Sequence, residues 1–518
     1  MSYNEEVISD HSQGMDRSHV FNSPEFSRGA IWDGLNMIYL RGQENPEKMR
    51  GFTRLGTTTM GSGTDRITGL FDYAEGTRLI AGVSDGKWYE YAGSDWAASS
   101  GATGYNTGID VRWSFEMFYG LTTASALLVG CNGVDAPEKY TSGAGASALG
   151  GSPPATGQFP VSWIGRLWMA AGDTLYGSAV NDCEKWGRAS GGVEIQIDRG
   201  TGDITGLATF AGQLIIFKRQ KILRIAPGTT LNVSDAVPVN QRIGTPSHQS
   251  IKEAVSTRSA VLMFMSDNGA EALIPTSATG AFYVRETSDS IQSILDRRSQ
   301  ISLGTAWADF NPVRHEYYLT YGTKSATPHE GVVGNMARSS SSRMVRWTRH
   351  DMRNKTAGAM FRSSGEQIQT IGDTSGRVFK LHSGNDRNTG AYSGSIVTAA
   401  YNQQAPHKMK EYGRYLIDAE TEGAYNVTCR AFLGRQGFSA PTSDTTMKSF
   451  GGGDGWGVGN WGTAVWGGSG TAGKYIRLKS VRRGSYIRLQ IETIGSGQWF
   501  KFNQMMIESE YGAGVLSA

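Results

Sequence analysis

The chain has 518 residues, including 69 glycines, 13 tryptophans, 21 tyrosines and 19 phenylalanines. This composition is typical of many short strands joined by tight turns, and it excludes a protein built from long helices. The 50 Lys and Arg residues nearly balance the 47 Asp and Glu residues, so no overall field would draw the chain to nucleic acid or to an anionic membrane.

Cysteine and histidine usage indicates neither a disulfide framework nor a metal site. Cys131, Cys183 and Cys429 are odd in number and far apart, so we predict that they are buried small hydrophobic residues. The eight histidines form no i, i+4 pair and none lies at zinc-ligand spacing from a cysteine.

The N-terminal region predicts an arm. The first ten residues are acidic and polar and lack the basic and apolar segments of a secretory signal, and no apolar run is long enough to cross a bilayer. We therefore expect no membrane anchor. Residues 1–66 show little periodicity before the segment 30–38, which predicts a strand that closes against the main body.

A short repeat and a recurring hairpin mark the main body. Ile67-Thr68-Gly69-Leu70 and Ile204-Thr205-Gly206-Leu207 each precede an apolar strand. The hairpins consist of a short apolar strand, a turn with Gly, Asp, Asn or Lys, and a second strand with an aromatic or aliphatic residue. Seven segments have this pattern, residues 79–91, 127–140, 167–179, 214–225, 261–273, 317–347 and 371–381.

The spacing of these hairpins predicts the fold. Their first residues are 40 to 56 positions apart, about the length of a four-stranded propeller blade. We predict an all-β protein with a β-propeller of six or seven blades over residues 67–390, following the arm and closing strand of residues 1–66. Stacked β-sandwiches are the alternative, because they also give regular hairpins. Residues 289–298 predict one short helix.

Residues 391–518 predict a second all-β, sandwich-like domain. Alternating apolar and polar residues at 486–492 are typical of a half-buried antiparallel strand. Further predicted strands lie at residues 399–403, 414–418, 426–432, 475–478 and 499–507.

A glycine-rich stretch at residues 451–470 matches the letters of a dinucleotide fingerprint. It lacks the preceding strand, the following helix and the acidic residue that such a site needs, so the sequence predicts no cofactor. Trp456, Trp461 and Trp466 in this stretch are spaced by five residues. They predict either adhesive contacts to a protein neighbour or a sugar, or anchors that hold a long loop to its own domain.

No catalytic constellation is evident, and we expect no enzymatic activity. A glycosidase would need converging carboxylates, or a tyrosine with an acidic partner and arginines; Arg314, Glu316 and Tyr317 are the available candidates. Two basic clusters are candidates for lining a DNA channel, although turn and edge-strand charges are the alternative. They comprise Lys218, Arg219 and Lys221, and Arg482 and Arg483.

Four short motifs occur in a fixed order. They are Gly34-Leu35-Asn36 through Arg50-Gly51-Phe52, Trp163-Ile164-Gly165-Arg166-Leu167-Trp168 with Gly177-Ser178-Ala179 and Trp186, the strand after Gly212 with Phe217-Lys218, and Arg242-Ile243-Gly244-Thr245 with Ser266-Asp267-Asn268-Gly269. In this order they resemble the β-propeller proteins of the tail hub and nozzle (tail tube, head-stabilising) of short-tailed bacteriophages, over residues 30–390.

The resemblance implies a structural virion protein of the viral tail, assembled in the host cytoplasm as a homohexameric ring. Such a hub or nozzle subunit extends the channel of the portal and adaptor, helps to retain DNA and conducts it during DNA ejection. Its implied partners are the adaptor and portal proteins above, tail fibre or spike proteins at the side, and double-stranded DNA in transient, non-specific contact. A receptor- or carbohydrate-binding tail propeller is the alternative function.

Overall fold

The structure is a computed structural model, and its described part has several gaps. It describes residues 3–19, 26–40, 42–74, 76–108, 111–120, 126–228, 236–255, 259–276, 280–297, 302–322, 329–337, 344–351, 355–363, 365–388, 390–403, 405, 408–422, 427–434, 443–447 and 472–511. Side chains are described for these residues except 3–4, 302, 329–330, 443–447, 472–482 and 511.

The arm contributes six short strands. They are β1 (Tyr3–Ile8), β2 (Gly14–Met15), β3 (Ala30–Leu35), β4 (Met37–Ile38), β5 (Glu47–Lys48) and β6 (Phe52–Arg54).

The main body consists of strands in groups of four. The first three groups are β7 (Ile67–Tyr73), β8 (Arg78–Val83), β9 (Lys87–Tyr91) and β10 (Trp96–Thr103); β11 (Ser114–Tyr119), β12 (Ala126–Cys131), β13 (Glu138–Thr141) and β14 (Gly145–Ala148); and β15 (Gln158–Trp163), β16 (Arg166–Ala171), β17 (Thr174–Gly177) and β18 (Val193–Gln196). The next are β19 (Ile204–Phe210), β20 (Gln213–Lys218), β21 (Lys221–Ile225) and β22 (Val237–Asn240); β23 (Lys252–Val255), β24 (Ala260–Met265), β25 (Ala270–Pro275) and β26 (Phe282–Glu286); and β27 (Trp307–Asn311), β28 (Glu316–Gly322), β29 (His329–Asn335) and β30 (Arg346–His350).

Ten strands complete the described chain. They are β31 (Lys355–Ser363), β32 (Glu366–Asp373), β33 (Val378–Leu381), β34 (Gly394–Thr398), β35 (Lys410–Thr421), β36 (Val427–Gly434), β37 (Ser443–Met447), β38 (Ala472–Gly484), β39 (Tyr486–Thr493) and β40 (Phe500–Tyr511). Helix is limited among the described residues to α1 (Gln292–Leu295) and short 3-10 turns. The all-β class and the short helix predicted at 289–298 are therefore confirmed. No helix in the described ranges is long and apolar enough to cross a membrane.

Small four-stranded antiparallel sheets form the main body, an arrangement compatible with a propeller. Within each group the strands pair in chain order, and β6 supplies the fourth strand beside β33, with Phe52 opposite Leu381. First strands lie side by side, with β7 next to β11, β11 next to β15, β15 next to β19, β23 next to β27 and β27 next to β31. The sheets β19–β22 and β23–β26 share an apolar core, and β31 also contacts β7, so the series closes on itself.

Two larger sheets join the arm to the C-terminal strands. One has the order β38-β35-β40-β5-β4, with β1 also paired to β40. The other extends the group β27–β30 through β3, β34, β39, β36 and β37. Apolar residues of β35 and β40 share one core with those of β36 and β39. The arm thus pairs with C-terminal strands, and the predicted domain boundaries stay predictions.

Six of the seven predicted hairpins are confirmed as paired strands, and each is the second and third strand of its group. Two details of the prediction were wrong. The segment 317–347 contains three strands rather than a loose pair, because β29 lies between β28 and β30. The strand predicted at 399–403 lies earlier, at Gly394–Thr398, and within 399–403 Tyr401 forms an isolated bridge with Ile487.

Tryptophan packed on strand glycine links the composition to the fold. A Cβ atom at Gly82 would lie 2.5 Å from the Trp113 ring, and one at Gly130 would lie 2.5 Å from the Trp88 ring. Trp88 and Trp113 meet edge to face, with ring centroids 4.8 Å apart, between the first two sheets. The glycines therefore make room for large rings that fill the space between neighbouring sheets.

Replacing Gly130 by Ala should lower the free energy of unfolding by about 1–3 kcal/mol, because the new methyl group overlaps the fully buried Trp88 ring. Gly413→Ala is the matched control, since a Cβ atom there meets nothing within 4 Å. Urea unfolding of both variants measures the difference. Equal stability of the two variants would contradict the packing argument.

Candidate functional site

Two cavities lie near the centre of the closed series of first strands. One has a volume of about 350 Å³ and is lined from β11, β15 and β19. The other, of about 240 Å³, is lined from β7, β11, β23, β27 and β31. His248 and Gln249, in the 3-10 turn His248–Ser250, line both cavities. The turn therefore separates two central spaces.

Hydrogen bonds fix this turn to strands on several sides. The Gln249 side-chain amide donates to the carbonyls of Thr68 and Trp113, at 3.1 Å in each case. The Tyr317 hydroxyl donates to the Ser250 carbonyl at 2.8 Å. These bonds satisfy the carbonyls of Thr68 in β7, of Trp113 next to β11 and of Ser250 in the turn itself, so the turn is part of the packed interior.

Phe159 has an unusual backbone conformation beside the larger cavity. Its φ of +56° lies in the left-handed region, which a bulky residue rarely adopts. The pairing of β15 with β16 shifts register between Gln158 and Val161, as expected of a β-bulge. The bulge directs the Phe159 ring onto the His248 ring, with centroids 4.7 Å apart.

The wall of the larger cavity is polar, with few charged side chains. Arg112 donates to the Thr356 carbonyl at 3.0 Å, and Asp203, Asn132 and Gln158 lie in the same wall. Burial, together with nearby Lys252, lowers the pKa of His248 to about 3, so its ring is neutral at pH 7. Amide, hydroxyl and aromatic groups of this kind suit a small polar ligand.

Glu116 lies in the wall of the smaller cavity. Burial raises its pKa to about 7, although the backbone N–H of Ser162, at 3.0 Å from Oε1, opposes the rise. The carboxyl group is thus held where its charge is costly.

The sequence candidates for glycan cleavage are only partly brought together. Glu316 is fully buried; Arg314 donates to its Oε2 at 3.1 Å, and the Tyr318 hydroxyl donates to the same oxygen. The Tyr318 hydroxyl also contacts Nε2 of His382 at 2.9 Å. Tyr317 belongs elsewhere, since its hydroxyl bonds to the central turn. The Glu316 carboxylate is therefore enclosed by its own chain.

The predicted basic clusters are largely engaged within the chain. Lys218 is 1 % exposed, and its ammonium group donates to oxygens of Ile197, Asp198, Thr201 and Gly202. The Lys218 ammonium group is thus enclosed by its own chain, and the predicted contact of this cluster with DNA stays a prediction.

The other basic residues with described side chains form ion pairs. Arg219 pairs with Asp267, Lys221 with Asp198 and Arg483 with Glu411. Arg482 lies in β38, opposite Tyr412, but its side chain is outside the described set. Trp456, Trp461 and Trp466 all lie outside the described residues.

Sequence reasoning missed the residues of the central cavities. Phe159, His248 and Gln249 are single letters with no motif around them. A cavity formed by several sheets depends on contacts between distant residues, and a β-bulge leaves no periodic signal. The free cysteines, in contrast, are buried as predicted.

Comparisons with known proteins give little further guidance. No protein-family model and no curated protein matches this chain. Among solved structures it is similar to the extracellular domain of a one-component system from B. thetaiotaomicron, at 9% identity and a TM-score of 0.39. The alignment covers 70% of this chain and 43% of that one, so the chain spans less than half the length of that structure.

Replacing Glu116 by Gln should change how stability depends on pH. The folded-state pKa of about 7 lies above the ordinary value of 4.5, so the folded chain holds a proton that the unfolded chain releases. Wild-type stability should therefore fall as pH rises from about 4.5 to 7, and the Gln variant should lack this loss. Urea midpoints at pH 5 and pH 8 measure it.

The control is Glu366→Gln, which changes an exposed carboxylate on β32. The difference between the Glu116→Gln variant and the wild type should grow in favour of the variant at pH 8. Parallel pH profiles for wild type and both variants would show that Glu116 carries no penalty.

Proposed function

We propose that this chain is a non-enzymatic, structural subunit of a short-tailed bacteriophage tail. In this proposal it forms the hub or nozzle ring below the portal and adaptor in the virion. The small four-stranded sheets then form a seven-bladed propeller, in which β31–β33 and β6 make the last blade, followed by a C-terminal β-sandwich.

The observation that carries the proposal is that the residues of one motif, whose sequence resembles the tail family, bond to one another in the structure. In the third sheet, Arg166 donates to the Ser178 carbonyl at 2.5 Å, and the Leu167 N–H donates to the Ser178 hydroxyl at 3.0 Å. The Trp186 ring then closes the same loop by donating to the Cys183 carbonyl at 2.7 Å. Motif residues that are separated in the sequence thus form one hydrogen-bonded unit. This supports a blade structure in common with the tail family rather than a chance match of residues.

The central turn restricts where DNA would pass. In the part of the chain that the structure describes, the central cavities on either side of His248 and Gln249 have volumes of about 350 and 240 Å³, which are too small for a duplex. In the proposed ring, DNA therefore passes through the opening enclosed by several subunits. Ion pairs at Arg219 and Lys221 reduce their attraction to phosphates, which suits transient contact during ejection.

The ring proposal predicts a defined oligomer. Mass photometry of the purified chain should show one assembly larger than a monomer, consistent with a hexamer, or should show it only after addition of a portal-adaptor complex. Closed rings are expected because identical head-to-tail contacts close when the rotation between subunits allows it. A monomer that persists under both conditions would contradict the proposal.

Carbohydrate binding is a second candidate, favoured by the polar cavity beside Phe159. Planar amides of Asn132 and Gln158 and an aromatic ring are groups that bind sugars in proteins. A glycan array should then give specific binding that is lost in a Phe159→Ala variant and kept in Tyr283→Ala, which removes an exposed ring. Absence of binding, or equal binding by both variants, would exclude this cavity as the sugar site.

A further inference from the structure

A pocket of about 530 Å³ lies where the apolar contact between the sheets β19–β22 and β23–β26 ends. Ile243 and Val284 pack against that apolar core and form part of the wall. Glu271 of β25 and Glu286 of β26 line the same space. Polar groups therefore take over where the apolar packing stops.

Glu271 is an incompletely satisfied buried carboxylate. It is 2 % exposed, and its Oε1 accepts only a long hydrogen bond from the Ser266 hydroxyl, at 3.4 Å. Its Oε2 is buried and has no hydrogen-bond partner among the described residues. Glu286 lies directly opposite it across the strand pair, and burial and this neighbour raise the pKa of Glu271 to about 7. A positively charged donor from another molecule would pair the buried oxygen and offset the repulsion from Glu286.

The helical side of the pocket adds further acceptors. Gln292 of α1 donates to the Asn268 carbonyl at 2.9 Å and to Asp296 at 3.0 Å. Its own Oε1 is buried without a partner among the described residues. Of the described residues that line the pocket, three are carboxylates and none is Lys or Arg. The described wall of the pocket thus offers negative charge and hydrogen-bond acceptors, and contributes no Lys or Arg.

The spacing of these groups favours a large planar cation over a metal ion. Within the described residues, no three His, Cys, Asp or Glu side chains lie close enough to hold a metal. A guanidinium group has five donors in a fixed plane and can bridge oxygens that are too far apart for one ion. It is also weakly hydrated, so it enters a partly buried site at lower cost than an ammonium group.

We propose that this acidic rim pocket, formed by Glu271, Glu286, Gln292 and Asp296, binds an arginine side chain of a neighbouring protein chain. The guanidinium group reaches the buried Glu271 at the floor, while the exposed Glu286 and Asp296 attract it at the rim. Any protein that presents an arginine can occupy the pocket, so its occupancy is independent of ring formation.

Two arginines of the chain itself, Arg219 and Arg242, lie near the pocket in the structure or the sequence. Arg219 is engaged next to it, where Nε and one terminal nitrogen contact the two oxygens of Asp267 at 3.0 Å each. Arg242 is exposed and precedes Ile243 of the wall. An Arg242→Ala variant therefore tests whether the chain fills the pocket itself.

Isothermal titration calorimetry with N-acetylarginine amide tests the proposal, with N-acetylcitrulline amide as the uncharged probe of the same shape. The wild-type chain should bind the arginine probe and should bind the citrulline probe at least about tenfold more weakly, because charge-assisted bonds to carboxylate are lost. Glu271→Gln should weaken binding of the arginine probe by a similar factor. Glu253→Gln, an exposed change on β23 of the same sheet, should leave binding unchanged.

Three outcomes would overturn the proposal. The first is equal binding of the two probes, and the second is unchanged affinity in the Glu271→Gln variant while its thermal unfolding matches the wild type. The third is binding of the arginine probe by the Arg242→Ala variant alone, which would show that an internal arginine occupies the pocket.

Discussion

The pairing of β6 with β33 is the contact on which the main body depends. It joins residues more than three hundred positions apart, so its loss would leave β33 with an unpaired edge. Packing reinforces it, since Phe52 meets the rings of Phe379 and Tyr392 edge to face. A hydrogen bond from the Thr356 hydroxyl to the Ile67 carbonyl closes the same junction at the inner strands. Closure therefore combines backbone pairing, aromatic packing and a side-chain bond.

Three of the first strands share one local feature, a β-bulge at a threonine near the start of the strand. Register shifts occur between Ile67 and Gly69, between Ile204 and Gly206, and between Lys355 and Ala357, each time around a threonine. At two of these positions the threonine hydroxyl bonds to a carbonyl outside its own sheet, Thr205 to Thr245 and Thr356 to Ile67. The short repeat seen in the sequence at 67–70 and 204–207 thus marks equivalent bulges at the start of two first strands.

Local pattern was enough to predict the hairpins, because apolar alternation and turn residues specify a strand pair within about a dozen residues. Contacts between residues far apart in the sequence could not be predicted from this local pattern. Lys218 follows an apolar strand and precedes a turn, which favours exposure, yet the loop at 197–202 supplies four oxygens that surround its ammonium group. The positive φ of Phe159 lies at a β-bulge, which leaves no periodic signal, so the sequence does not mark that residue as part of a site.

The buried charged side chains of this chain differ in how many hydrogen-bond partners they have. Lys218 has four oxygen partners, and Glu316 accepts hydrogen bonds from both Arg314 and Tyr318. Each of these buried charges is therefore hydrogen-bonded within the chain. Glu271 has comparable burial but only one long bond, and its cross-strand neighbour carries the same charge. Since Lys218 and Glu316 find their partners within the chain, we infer that the donor missing at Glu271 belongs to a binding partner at the rim of the sheets.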